Sequence, residues 1–168
     1  GGIVALRDTN GDYRADIIKY FGNRNETKEG ILWETGIAIH NGYLWASNTT
    51  AVYRWTMPKG GALVPEGEPE MVVGGFSQQQ SHASKAFTFD NKGNLYVAVG
   101  APSNACQTEE RTPGSPGIEP CPLLEEHGGI WRFDANKTGQ TFSAAARYAT
   151  GLRNVVGLDW NTTADALF

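Results

Sequence analysis

The chain has 168 residues, of which 40% are hydrophobic, and a formal net charge of -4 at pH 7. A chain of this size can bury a hydrophobic core. Its 21 glycines, 8 prolines and 5 tryptophans favour short aromatic strands joined by many turns. The acidic balance and the absence of any run of Lys and Arg argue against nucleic acid as a partner. No apolar stretch approaches the roughly 20 residues that span a bilayer, so no membrane insertion is expected.

The first predicted unit has four strands and occupies residues 2–46. Residues 2–7 and 17–21 are short and apolar, and residues 36–46 form an alternating hairpin around a His-Asn-Gly turn that begins at His40. Apolar residues that alternate with polar ones across an Asn-Gly turn are typical of antiparallel pairing. We therefore interpret His40 as a turn residue.

The loop between the first two strands is a candidate calcium site. It places Asp8, Asn10, Asp12 and Asp16 at positions 1, 3, 5 and 9, with the backbone carbonyl of Arg14 at position 7. Closely spaced oxygens on a turn are the ligands that Ca²⁺ prefers. The alternative is a solvated Asx-rich turn that only joins two strands. A calcium ion held here would be structural.

The second unit repeats the pattern over residues 51–98, with an alternating hairpin at 86–98. His82 stands in the loop directly before that hairpin. In a propeller blade this loop enters the innermost strand, which lines the central channel. Histidine can act as a general base toward a hydroxyl. A surface or hydrogen-bonded structural histidine is the alternative.

An insertion rich in Pro, Gly and Ser follows at residues 101–127 and contains Cys106 and Cys121, the only two cysteines. Such a segment is a poor place to bury a thiol, so we expect a disulfide that staples the loop. Two free thiols or metal ligation are the alternatives. A disulfide favours an oxidising compartment, and we expect a periplasmic or secreted protein. His127 ends the insertion and would line the channel only if the loop folds inward.

The third unit begins at residue 129 and reaches Phe168, with a predicted inner strand at 156–160. Arg153 and Asn154 precede this strand as His82 precedes the inner strand of the second unit. Two equivalent loops would therefore bring polar side chains to one end of the propeller axis. An Arg fork suits a carboxylate, and Asn offers both a donor and an acceptor. The alternative is an ion pair between Arg153 and an acid of a neighbouring blade.

Repetition of four short strands at about 50 residues is typical of the blades of a β-propeller. The chain holds about three blade-equivalents, and the longer second spacing is explained by the insertion at 101–127. Three blades cannot close into a ring. We therefore expect an all-β chain in which residues 1–168 form a partial β-propeller, truncated at both ends.

Three segments, residues 82–106, 127–140 and 147–161, resemble the soluble PQQ-dependent sugar dehydrogenases of the glucose/sorbosone dehydrogenase family, and especially its sorbosone dehydrogenase-like branch. The resemblance implies a six-bladed propeller that oxidises a sugar hydroxyl or hemiacetal with PQQ, while Ca²⁺ binds and polarises the cofactor. It also implies an electron acceptor, a cytochrome or a quinone, which the sequence does not identify.

The resemblance assigns His82 as the general base that takes the substrate proton while hydride passes to the quinone. It assigns Arg153 and Asn154 to PQQ, the Arg offsetting charge on the reduced quinone oxygen. The family's catalytic calcium loops and remaining cofactor contacts lie beyond Phe168, so these residues alone are expected to be inactive.

The sequence departs from the glucose-oxidising members at three positions. Ser81 stands where they carry an acid, Ala101 where they carry Asp, and Val156 where they carry Gln. These departures leave the orientation of His82 and the substrate open. A non-catalytic propeller that binds carbohydrate or protein is the alternative function, and a calcium-stabilised adhesion repeat is a weaker one.

Overall fold

A computed structural model of the chain describes residues 2–23 and 30–168. The strands in chain order are β1 Ile3–Arg7, β2 Ile17–Phe21, β3 Ile37–His40, β4 Tyr43–Ser47, β5 Ala51–Thr56, β6 Glu70–Gly74, β7 Phe87–Phe89, β8 Asn94–Val99, β9 Gly129–Asp134, β10 Gln140–Thr141, β11 Arg147–Thr150, β12 Trp160–Asn161 and β13 Ala166–Leu167. Two short 3-10 turns, Pro122–Glu125 and Ala144–Ala146, are the only helical elements among the described residues. No helix in this part of the chain is long and apolar enough to cross a membrane.

The strands form two complete blades and two half blades. One sheet has the order β3-β4-β5-β6 with β10 added outside β6, and the other has the order β7-β8-β9-β11. The pairs β1-β2 and β12-β13 flank them as separate hairpins. Neighbouring strands are antiparallel, except that β10 runs parallel to β6. The all-β propeller prediction, with about three blade-equivalents, is confirmed. The predicted four-strand units do not coincide with the blades, however, because β3 and β4 pair with β5 and β6 rather than with β1 and β2.

The inner hairpins form at the turns that the sequence predicts. Between β3 and β4, Asn41 and Gly42 have φ of 49° and 78°, as a two-residue hairpin turn requires. Between β7 and β8, the Asp90 carboxylate accepts hydrogen bonds from the backbone N–H groups of Lys92 and Asn94, both at 2.8 Å. These local bonds fix the register in which β7 and β8 pair.

The core lies between the two complete blades. Trp45 of β4 and Trp131 of β9 are 1% and 0% exposed, and Val73 and Leu95 beside them are fully buried. The Ser47 hydroxyl donates to the Lys85 carbonyl oxygen at 2.7 Å, joining the end of β4 to the segment that enters β7. This bond thus links the two complete blades beside the segment that leads into β7.

The third unit departs from the prediction of a strand at 156–160. Only Trp160 and Asn161 pair with Ala166 and Leu167, and the ladder ends at the mutual backbone bonds between Asp159 and Phe168. Residues 151–159 have no regular secondary structure.

Candidate functional site

The predicted catalytic and cofactor-binding residues lie at one end of the blades. We call this end of the blades the upper end. It comprises the segments that precede β3, β7 and β12, together with the β4–β5 and β8–β9 loops. Antiparallel order places the start of β7, the end of β8, the start of β9 and the end of β11 there. His82 precedes β7, and Arg153 and Asn154 follow β11.

His82 is half-buried and its imidazole orientation is fixed by the main chain. Its Nδ1 lies 2.6 Å from the carbonyl oxygen of Ala101, directly after β8. Because a carbonyl only accepts, Nδ1 carries the hydrogen and the lone pair of neutral His82 is on Nε2. No hydrogen bond to Nε2 is formed within residues 2–23 and 30–168. Nε2 is the ring atom able to take a proton from a substrate.

Gly100 and Ala101 bring the three predicted site residues together. The Ala101 N–H donates to the Arg153 carbonyl at 2.7 Å. A Cβ built on Gly100 would lie 2.6 Å from the Cβ of His82 and 3.1 Å from the Asn154 Oδ1. His82 and Asn154 therefore both pack against Gly100, a position where only glycine fits without displacement.

Arg153 presents an exposed guanidinium. Its Nη1 donates to the Asn104 Oδ1 at 3.2 Å, and no ion pair involving Arg153 forms in the described part of the chain. The alternative role of Arg153, an ion pair with a neighbouring acid, is therefore not formed among the described residues. The guanidinium keeps donors for a ligand.

The insertion that carries Asn104 is closed by the predicted disulfide. Cys106 and Cys121 are bonded with their Cα atoms 6.1 Å apart, which confirms that prediction. The Glu110 carboxylate accepts from the Asn104 N–H at 2.9 Å and from the Ser103 hydroxyl. Between this loop and Arg153 lies a largely apolar cavity of about 190 Å³.

Gln79 and Lys85 belong to the site although the sequence analysis did not single them out. The Gln79 Nε2 lies 2.7 Å from the Ser81 carbonyl oxygen and 3.0 Å from those of His82 and Gly100. Gln79 is one of three consecutive glutamines and gives no signal in the sequence.

Lys85 is completely buried, and its Nζ donates to the Ala83 carbonyl oxygen at 2.5 Å. Burial lowers its pKa to about 8, and the Glu34 carboxylate opposes the change. The sequence does contain a signal for Lys85, because it directly precedes the apolar segment that begins at Ala86 and leads into the core strand β7.

The other two histidines differ in position. Burial lowers the pKa of His127, and the Lys85 cation lowers it further. The Glu126 carboxylate acts in the opposite direction. His127 is half-buried, and the carbonyl oxygen of Gly128 beside it accepts from the Leu152 N–H at 2.8 Å, so the end of the insertion lies next to the segment that contains Arg153. His40 lies at the lower end of β3, stacked on Phe89 with ring centroids 4.0 Å apart. His40 is therefore remote from His82.

The candidate calcium loop lies at the lower end, between β1 and β2, where Arg7 bonds the Gly61 carbonyl at 2.7 Å. Asp8 Oδ1 accepts from the Gly11 N–H at 2.7 Å, and Oδ2 accepts from the Tyr13 N–H at 2.8 Å. These backbone bonds, that of Gly11 foremost, lower the pKa of Asp8.

The remaining oxygens of the loop also bond within it. Asn10 Oδ1 and Asp12 Oδ1 accept from the N–H groups of Asp12 and Arg14, and Asp16 accepts from Thr9. No group of three His, Cys, Asp or Glu side chains able to hold a metal occurs among the described residues. Calcium at Asp8, Asn10, Asp12, Arg14 and Asp16 stays a prediction.

The blades define a partial β-propeller, with a polar cluster at their upper end built from the segments between blades. A family model described as TrAA12-like matches residues 9–168, and the chain belongs to this family. No curated protein matches the chain significantly.

Among solved structures, the chain is similar to an iodide structure of the Trichoderma reesei carbohydrate-active enzymes family AA12, with 18% identity and a TM-score of 0.68 over 98% of this chain and 38% of that one. It is also similar to the holo form of the pyranose dehydrogenase PQQ domain from Coprinopsis cinerea, with 16% identity and a TM-score of 0.66 over 97% of this chain and 36% of that one. A calcium structure of the Trichoderma reesei family AA12 protein aligns with a TM-score of 0.62, 18% identity and 92% and 36% coverage. At these identities the likeness concerns the fold, and the chain spans little more than a third of each of these proteins.

Proposed function

We propose that this chain forms part of a PQQ-dependent sugar dehydrogenase, in which His82 is the general base and Arg153 and Asn154 bind the cofactor. Support comes from the family membership and from the fold shared with a pyranose dehydrogenase PQQ domain. The observation that carries the proposal is the 2.6 Å contact between Nδ1 of His82 and the Ala101 carbonyl, beside Arg153 and Asn154.

The residues present have the chemistry to hold one side of the cofactor. PQQ carries carboxylates and quinone oxygens, which require donors, and the exposed Arg153 guanidinium and the Asn154 amide supply them. When bound, the cofactor supplies the hydride acceptor that no protein side chain provides. The donors of Arg153 and Asn154 therefore match the carboxylate and quinone oxygens of PQQ in chemistry.

Each residue of the cluster has a distinct role in the proposed reaction. Nε2 of His82 takes the hydroxyl proton of the sugar, and the Nδ1 hydrogen bond to Ala101 keeps the ring in the tautomer that makes this possible. Arg153 binds and orients the cofactor and offsets negative charge, aided by the hydrogen bond to Asn104 that directs its guanidinium. Asn154, which packs against Gly100, would orient the cofactor through its amide.

The finer assignments rest on the resemblance to the glucose/sorbosone dehydrogenases. We propose an aldose or sorbosone-type substrate, Ca²⁺ as a second cofactor, and a cytochrome or quinone as electron acceptor. The disulfide supports a periplasmic or secreted location.

The test uses the full-length protein that contains this chain, loaded with PQQ and Ca²⁺ and assayed by dye-linked oxidation of glucose, sorbosone and a panel of pyranoses. His82→Ala should lower turnover by about 10² to 10⁴ without loss of cofactor binding. Arg153→Ala should weaken both cofactor binding and rate. A His82→Ala protein that oxidises the substrate at the parent rate would refute the proposal.

A further inference from the structure

The backbone at His82 has a conformation that is uncommon for residues with a Cβ. Its φ is 55°, in the left-handed region, where the Cβ approaches the main chain closely. A conformation of this kind persists only where the surroundings impose it. The Ala101 carbonyl holds the ring, but it does not hold the main chain on either side of His82.

The Gln79 side chain supplies that constraint. Its Nε2 faces three carbonyl oxygens, those of Ser81, His82 and Gly100, at 2.7, 3.0 and 3.0 Å. The orientation of the amide is settled by these partners, because a flipped amide would place its oxygen against three other oxygens. The Gln79 Oε1 is buried and finds no partner within the described residues. The amide therefore gives up one potential hydrogen bond while its donors bridge the segment before β7 and the end of β8.

The three carbonyls belong to the two segments that form the imidazole contact. Ser81 and His82 lie on the side of the ring, and Gly100 directly precedes Ala101, whose carbonyl accepts from Nδ1. We propose that Gln79 is a positioning residue that holds His82 in its left-handed conformation and keeps Nδ1 bonded to Ala101, so that Nε2 remains the basic atom. The catalytic consequence rests on the proposed function, whereas the effect on the His82 ring does not.

The first measurement follows the ring directly and needs no cofactor. In full-length protein labelled with ¹⁵N-histidine, the His82 signals are identified by their loss in His82→Ala. The parent should show Nδ1 protonated and slow in hydrogen exchange. Gln79→Met, which keeps the length of the side chain and removes its donors, should make this hydrogen exchange at least tenfold faster or shift the ring to a mixture of tautomers.

Two further variants make the comparison specific. Gln79→Asn keeps the amide but makes it one methylene too short, and it should change His82 in the same direction if the Met variant does not fold. Gln80→Met alters an exposed neighbouring glutamine with no described hydrogen bond and is the matched control. It should leave the His82 signals unchanged.

The second measurement is the kinetic one. In the loaded enzyme Gln79→Met should lower kcat by about 10- to 100-fold with KM within about twofold of the parent, because the base and not the sugar contacts is disturbed. If the parent itself shows no oxidation, the proposed function fails while the ring measurement still decides the role of Gln79. Unchanged exchange and tautomer of His82 in both folded Gln79 variants would overturn the inference.

Discussion

Lys85 provides the sharpest quantitative test of this structure. Its side chain is completely buried, and none of the described carboxylates lies within ion-pair distance of it. Its Nζ donates to the Ala83 carbonyl, and the Phe76 ring centroid lies 5.9 Å away. Burial lowers the Lys85 pKa from its usual 10.5 to about 8, against the opposing effect of Glu34. A buried ammonium without an ion partner destabilises the folded state.

The sign and size of this effect follow from proton linkage. Between pH 8 and pH 10.5 the unfolded chain holds a proton on Lys85 that the folded chain has released, so the free energy of unfolding rises with pH. A gap of about 2.5 between the two pKa values corresponds to roughly 3 kcal/mol at 1.36 kcal/mol per pKa unit. Below pH 8 the penalty is present in full, and above about pH 10.5 it is gone.

The perturbation is Lys85→Met, measured by urea unfolding at pH 7 and pH 10. Met removes the charge at similar length and loses the bond to Ala83, which is worth about 1 kcal/mol. The variant should therefore be about 2 kcal/mol more stable than the parent at pH 7, and the advantage should disappear or reverse by pH 10. The control is Lys92→Met, because the hydrogen bond to Asp165 raises the pKa of this exposed lysine and gives any effect the opposite sign. An equal difference between parent and Lys85→Met at both pH values would refute the reasoning.

Three other changes test separate features. Gly100→Ala places a methyl group 2.6 Å from the Cβ and carbonyl oxygen of His82. It should lower the free energy of unfolding in urea by about 1–3 kcal/mol and shift the NMR signals of the His82 ring. Unchanged His82 signals would contradict this packing. Replacing Cys106 and Cys121 together by Ser should lower the free energy of unfolding by about 3 kcal/mol, since the bond closes a 15-residue separation. The reduced parent should match that double variant, and a double variant as stable as the oxidised parent would count against it. Calorimetry should detect millimolar Ca²⁺ binding that Asp8→Ala abolishes, and a parent chain that takes up no Ca²⁺ would end the calcium hypothesis.

The sequence predicts the repeating parts of the fold well because their signals are local. Alternation and the turn at Asn41 and Gly42 define hairpins without reference to the rest of the chain. Four-strand repetition indicates blades but does not show which four strands share a sheet, since β3 and β4 pair with the strands that follow them. The strand at 156–160 was predicted by the same logic but is formed only at its end, because a strand needs a partner that alternation does not provide.

The site was predictable only in part for a related reason. His82, Arg153 and Asn154 occupy equivalent places between blades, and that equivalence is visible in the repeat. The contacts that hold them, from Gln79 to three carbonyls and from Ala101 to His82, join segments about 20 residues apart through main-chain atoms. Because every residue has a main-chain carbonyl, such acceptors cannot be recognised from the residue type.

The main-chain contact of His82 also bears on its proposed chemistry. The Ala101 carbonyl takes the Nδ1 hydrogen of His82, and this acceptor would be present with any residue at position 101. The carbonyl fixes the tautomer, but it is neutral and so stabilises an imidazolium, as the proposed reaction would form, less than a carboxylate would. The position of His82 therefore depends on its backbone. The Gln79 amide and the close contact at Gly100 hold that backbone.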